Sequence, residues 1–88
     1  MINWIYPEVI ADLIEACNDF INGKITAQEI QSKIYGAENQ IVAIDEKWLR
    51  ELLFNAENEI ELLIYTVDEG QLQSSVMPIV QNILSKIK

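Results

Sequence analysis

The chain has 88 residues, half of them hydrophobic, with fourteen acidic side chains against six basic ones and a net charge of −8. That length allows one domain with one modest core, and the hydrophobic share excludes a disordered chain. The acidic balance argues against nucleic acid or an anionic membrane as partner, since both present phosphates, and the absence of histidine removes the usual acid–base group near neutrality.

The first helix is marked by Val9, Ile10, Leu13, Ile14, Cys17, Phe20 and Ile21, which recur at three and four. Pro7 is allowed in a first turn, so the start falls between Asn3 and Pro7. Gly23 is placed to stop the helix. Cys17 is the only cysteine. It cannot form an internal disulfide and sits among apolar neighbours, which suits core packing in a reducing compartment. The sequence shows no secretory signal and no apolar run of the ~20 residues a membrane span needs. The expectation is a soluble cytoplasmic protein.

A capping box opens the second helix: Thr26 precedes Glu29 by three, and Ile25 and Ile30 occupy the hydrophobic-staple positions. Ile30 and Ile34 should face the core, and Tyr35-Gly36 should end or interrupt the helix. Residues 37–44 then read as a connection with Ile41, Val42 and Ile44 buried. Asp45 is the expected cap of a third helix carrying Trp48, Leu49, Leu52, Leu53 and Ala56 on its apolar phase. That phase places Trp48 in the core. The helix should run to about Glu61. Residues 62–67 have strand-favouring composition but no second strand to pair with, so they read as the helix end and a packed loop.

Asp68, three residues before Gln71, is a further cap candidate. The last helix would bury Leu72, Val76, Ile79, Val80, Ile83, Leu84 and Ile87. Pro78 should kink it or delay its regular part to about Ser75. Lys86 and Lys88 suit the negative end of the helix dipole. Four amphipathic helices with short connections predict an all-α, antiparallel four-helix bundle, with residues 1–88 as a single domain.

The chemistry of the chain points away from catalysis. Di-metal sites in bundles use Glu-x-x-His, and there is no histidine. Asp68-Glu69-Gly70 lacks the alternating oxygen ligands of a calcium loop. An acyl carrier would show Asp-Ser-Leu at the start of its second helix, where this chain has Thr26-Ala27-Gln28-Glu29. The expectation is no enzyme, no metal and no cofactor. Instead, Glu51, Glu57, Glu59, Glu61, Asp68 and Glu69 fall in a stretch without one basic residue. A one-sign surface of that kind suits a basic partner.

Lys24-Ile25-Thr26-Ala27 with Glu29 resembles the Lys-Ile-Thr-Ala-x-Glu of the colicin D immunity family of bacterial self-protective proteins. Tyr35-Gly36, Leu53-Phe54 with Ala56-Glu57, an acidic residue with Gly70, and Ile83-Leu84-x-Lys86 with Lys88 follow in the same order. The similarity spans about residues 10–88. It implies an antiparallel four-helix bundle that binds the catalytic domain of a transfer-RNA-cleaving toxin and fills its basic cleft with carboxylates in place of phosphates. The resemblance carries over Glu57 directly, and Glu59, Glu61, Asp68 and Glu69 lie where the family is also acidic. Trp4, Trp48 and Tyr65 are candidate anchors, with core packing favoured for Trp48. The alternative is a helical interaction module, a homodimer or other homo-oligomer through residues 60–67, in which the acids serve solubility.

Overall fold

In the computed structural model, which describes residues 4–88, the apolar stripes of four helices meet in one core. They are α1 (Pro7–Ile21), α2 (Ala27–Gln40), α3 (Lys47–Thr66) and α4 (Glu69–Ile87). Each helix packs on its neighbour in sequence, α1 closes against α4, and α2 and α4 touch across the diagonal. This is the expected four-helix bundle. Ile10, Leu13, Cys17 and Phe20 of α1 meet Ile30, Ile34 and Ile41 from the α2 side, Leu49, Leu53 and Ile60 of α3, and Val76, Val80 and Ile83 of α4. No helix is long and apolar enough to cross a membrane.

Local chemistry sets the first connection, between α1 and α2. Gly23 has φ +76°. Its N–H donates to the Phe20 carbonyl at 3.0 Å, and the Lys24 N–H donates to the Asp19 carbonyl at 2.8 Å. These two bonds satisfy the last carbonyls of α1 and need the left-handed backbone that glycine adopts freely. At the head of α2, the Glu29 N–H donates to Thr26 Oγ1 at 3.1 Å and the Thr26 N–H donates to Glu29 Oε1 at 3.2 Å. The capping box read from the sequence is therefore complete.

Gly36 does not end α2. The helix runs four residues further, to Gln40. Ala37, Glu38 and Ile41 are all buried beyond it, and that packing outweighs the ~1 kcal/mol a mid-helix glycine costs. Of the connection, Ile41 is buried as expected, whereas Val42 and Ile44 are exposed. A single 3₁₀ turn, Ile44–Glu46, leads into α3, and Asp45 makes no capping bond. Glu46 holds the place instead, buried, with Oε2 accepting the Ile5 N–H at 2.7 Å. It ties the segment before α1 to the head of α3.

Residues 62–66 are helix, not loop. Leu49, Leu53, Ala56, Ile60 and Ile64 repeat at four and three, so the core-facing stripe persists. It overrides the strand propensity of Ile64, Tyr65 and Thr66. Thr66 adapts by donating its hydroxyl to the Leu62 carbonyl at 2.8 Å. Only Val67 and Asp68 separate α3 from α4. Asp68 sits at the N-cap without a side-chain bond; its backbone carbonyl takes the Gln71 N–H at 2.9 Å. Gly70 lies in the first turn of α4. Helix α4 is continuous from Glu69 to Ile87, with Pro78 inside it. Both Pro78 and Ser74, whose carbonyl has no N–H to accept there, are exposed. Water can serve that carbonyl. Gln73 Nε2 donates to the Phe20 carbonyl at 2.9 Å and pins the first turns of α4 to the end of α1.

Trp48 lies outside the core, half exposed, with its ring 6.0 Å from that of Trp4. The expectation of a core position for Trp48 fails because Leu49, Leu53, Ala56 and Ile60 set the buried stripe, and Trp48 lies about 100° away from it. The position of Trp4 over the head of α3 gives it an aromatic partner at the surface instead.

Two substitutions test these assignments. Thr26→Ala should lower stability by about 1 kcal/mol through loss of the cap. Gly36→Ala should raise it by about 0.5–1 kcal/mol, because the residue is helical and a Cβ there meets nothing within 4 Å. Denaturant midpoints of both variants against wild type decide each. An unchanged midpoint for Thr26→Ala would mean the bonds at the head of α2 contribute nothing.

Candidate functional site

The rotation of α3 is fixed by Leu49, Leu53, Ala56 and Ile60, which face the core. A helix turns about 100° per residue, so this stripe decides where every carboxylate on α3 goes. Glu57 falls at the edge facing α2. There it lines a groove of about 290 Å³ with Gln28, Gln31, Ser32 and Tyr35. Glu61, one turn on, shares that side of the helix. Glu59 falls at the opposite edge, in a groove of about 260 Å³ against Pro78, Ile79 and Asn82 of α4. Asp68 and Glu69 are adjacent and exposed where α3 turns into α4. The structure thus brings Glu57 and Glu61 together, pairs Asp68 with Glu69 at the turn, and sets Glu59 apart.

Exposed apolar side chains stand among these acids. Phe54, Leu62 and Tyr65 project from the outward face of α3, and Tyr35 projects from α2; Tyr65 is 80% exposed. Ile60 is fully buried, so residues 60–67 are not one apolar patch. Among the described residues, none of Glu57, Glu59, Glu61, Asp68 and Glu69 forms an ion pair. The ion pair found among the described residues joins Lys47 and Glu51 at 3.8 Å, at the other end of α3 and open to solvent.

Two acidic features lie outside the 51–69 stretch. Glu38 is a buried carboxylate on α2, 8% exposed, with no hydrogen-bond partner for Oε2. Burial pushes its pKa up from the ordinary 4.5, the nearby charge of Glu57 adds to the rise, and Arg50 opposes it. The sequence carries a signal for it, since Ile34, Glu38 and Ile41 follow one another at four and three. Gly36 masks that signal, because a glycine there reads as a helix end. The second feature is α1, where Glu8, Asp12, Glu15 and Asp19 repeat at four, three and four. The last three of them line the α1–α2 groove, about 440 Å³, where Lys33 is the one base.

Among the described residues, no group of three or more His, Cys, Asp or Glu is arranged to hold a metal ion. The arrangement offers fixed carboxylates beside exposed rings, groups that can attract a cation and pack against it. No family model, characterised protein or solved structure matches this chain.

Glu38 gives a pH test. Its carboxyl pKa is raised in the folded state above the ordinary 4.5. The folded state therefore binds that proton more tightly than the unfolded chain, so stability falls as pH rises through this range. Glutamine mimics the protonated form. Glu38→Gln should melt at a higher temperature than wild type at neutral pH, and the gap should close as pH drops below 4.5. A gap of the same size on both sides of that range would show that Glu38 carries no charge penalty in the fold.

Proposed function

We propose that this protein is an immunity protein: it binds a basic, transfer-RNA-cleaving bacteriocin domain and blocks its cleft with an acidic surface. The observation that carries the reading is the outward face of α3, where Glu57 and Glu61 stand unpaired beside Phe54, Leu62 and Tyr65. Asp68 and Glu69 extend the charge around the turn.

The physical logic is direct. A nuclease cleft is basic because it must attract phosphate. Carboxylates held on a rigid helix compete for the same cleft without being cleavable. Opposite charge speeds encounter to as much as ~10⁸ M⁻¹s⁻¹ or more at low salt, while desolvated anchors hold the complex. The exposed aromatic residues supply such anchors on the acidic face. The resemblance of Lys24-Ile25-Thr26-Ala27 with Glu29, and of the later motifs in the same order, to the colicin D immunity family supports the same assignment and a cytoplasmic setting, where a toxin-producing cell needs protection.

The homodimeric alternative would place Leu62 and Tyr65 against their copies. It must also bring two chains of net charge −8 together, which like-charge repulsion opposes.

The test is calorimetry against the basic nuclease domain of a toxin encoded beside this chain, with circular dichroism as the folding control. Reversal of Glu57 and Glu61 together should abolish measurable binding, because breaking a desolvated charge pair costs ~2–5 kcal/mol. Glu59→Lys should cost less, since Glu59 faces α4. Wild-type affinity should fall as salt rises. A folded Glu57→Lys, Glu61→Lys variant that binds and protects like wild type would overturn the reading. A dimer unaffected by these reversals would favour the alternative.

A further inference from the structure

Glu38 is placed where a bundle of this size should not put a charge. Its Oε2 is buried without a partner, in a side chain 8% exposed. A buried carboxylate left unpaired costs stability, and Glu57 nearby has the same sign. Arg50 is the opposing charge on α3, and it forms no ion pair with Glu38. Sequences that break a packing rule without local compensation do so most often where something binds.

What lies next to Glu38 fits that explanation. One turn back on the same flank of α2 stands Tyr35, and beyond it Ser32, Gln31 and Gln28. With Glu57 these residues line an open groove of about 290 Å³. Drug-sized ligands usually occupy ~300–1,000 Å³, so the groove has the scale of an inserted side chain. Its walls present a carboxylate, two amide oxygens, a hydroxyl and the ring of Tyr35, which is 55% exposed.

We propose that this corner of the α2–α3 face is a socket for a guanidinium group, an arginine side chain of the protein partner, held between Glu57 on the wall of the groove and Glu38, which lies just beyond the groove, one turn past Tyr35. Glu38 is close enough to feel the charge of Glu57. Arginine fits better than lysine. Its planar fork offers five donors to acceptors on two helices, and its flat face stacks on an aromatic ring. Two carboxylates converge here, fewer than a bare metal ion would require. The proposal deepens the reading of this face as a surface for a basic partner, and rests on it.

The experiment needs no toxin. Chemical shifts of the ¹⁵N-labelled protein are followed during titration with N-acetyl-arginine methylamide, with the lysine and citrulline analogues as controls. Citrulline keeps the shape of arginine without its charge. The expected result is shifts concentrated at Tyr35, Glu38 and Glu57, weaker with lysine and absent with citrulline. Saturating arginine derivative should also lower the titration midpoint of the Glu38 carboxyl. Glu38→Gln and Glu57→Gln should each weaken binding about tenfold, the loss of one charge-assisted hydrogen bond, while Glu59→Gln leaves it unchanged. Equal shifts along Asp12, Glu15 and Asp19 would mean general attraction to acid and would overturn the socket. So would an unchanged affinity in folded Glu38→Gln. A socket that binds arginine in a protein that binds no toxin would leave this inference standing and remove the immunity reading; the reverse outcome would do the opposite.

Discussion

Fourteen carboxylates and six bases cannot be paired off, and the fold has to put the excess somewhere. Water takes most of it. The apolar stripes set each helix's rotation, and the acids ride outward on whatever phase remains: Glu8, Asp12, Glu15 and Asp19 along α1, Glu57 and Glu61 on one flank of α3, Glu59 on the other. Repulsion among exposed charges is weak and screened, so the bundle tolerates it. Two carboxylates, Glu38 and Glu46, are drawn inside. Glu46 has a structural partner for Oε2 in the Ile5 N–H, while its Oε1 is buried without one. Glu38 has none for Oε2, and it lies beside the acidic face that is otherwise complete.

This division separates the side chains that hold the domain together from those that face water. The core is almost entirely aliphatic, built from Ile, Leu, Val and Ala with Phe20 and Cys17. Burial pushes the Cys17 thiol up to about 11, which keeps it protonated and unreactive at neutral pH. Stability therefore comes from side chains that never meet solvent. The outward faces of α2 and α3 are free to carry rings and charges suited to binding.

Helix existence and most of the core are legible in the sequence because they depend on local chemistry. Thr26 with Glu29 announces a helix start by side-chain bonds within three residues, and Gly23 announces an end by its backbone freedom. The boundaries at which local signals mislead all depend on distant packing. Gly36 resembles a stop until Ala37, Glu38 and Ile41 are seen against the neighbouring helices. Residues 62–66 resemble a strand or loop until Ile60 and Ile64 are seen continuing the α3 stripe. The candidate site is legible in the same measure. The acids of 51–69 are evident in one dimension, and the opposition of Glu57 and Glu61 to Glu59 follows from helical pitch. Glu38 is hidden at that level, because recognising a buried charge requires knowing that the helix around it continues.

The contact between Trp4 and Trp48 has an optical consequence. These are the chain's only two tryptophans, and their rings lie 6.0 Å apart where the segment before α1 meets the head of α3. Indole emission from this protein is thus a local gauge. It reports whether residue 4 is docked, and rings this close should also perturb each other's near-ultraviolet dichroism. The turn carrying Asp68 and Glu69 lies at the far end of α3, beyond the direct reach of either indole. A fluorescence signal followed during unfolding would follow one end of the bundle, whereas Tyr35 and Tyr65, on the acidic face, are the chromophores that would sense an arriving partner.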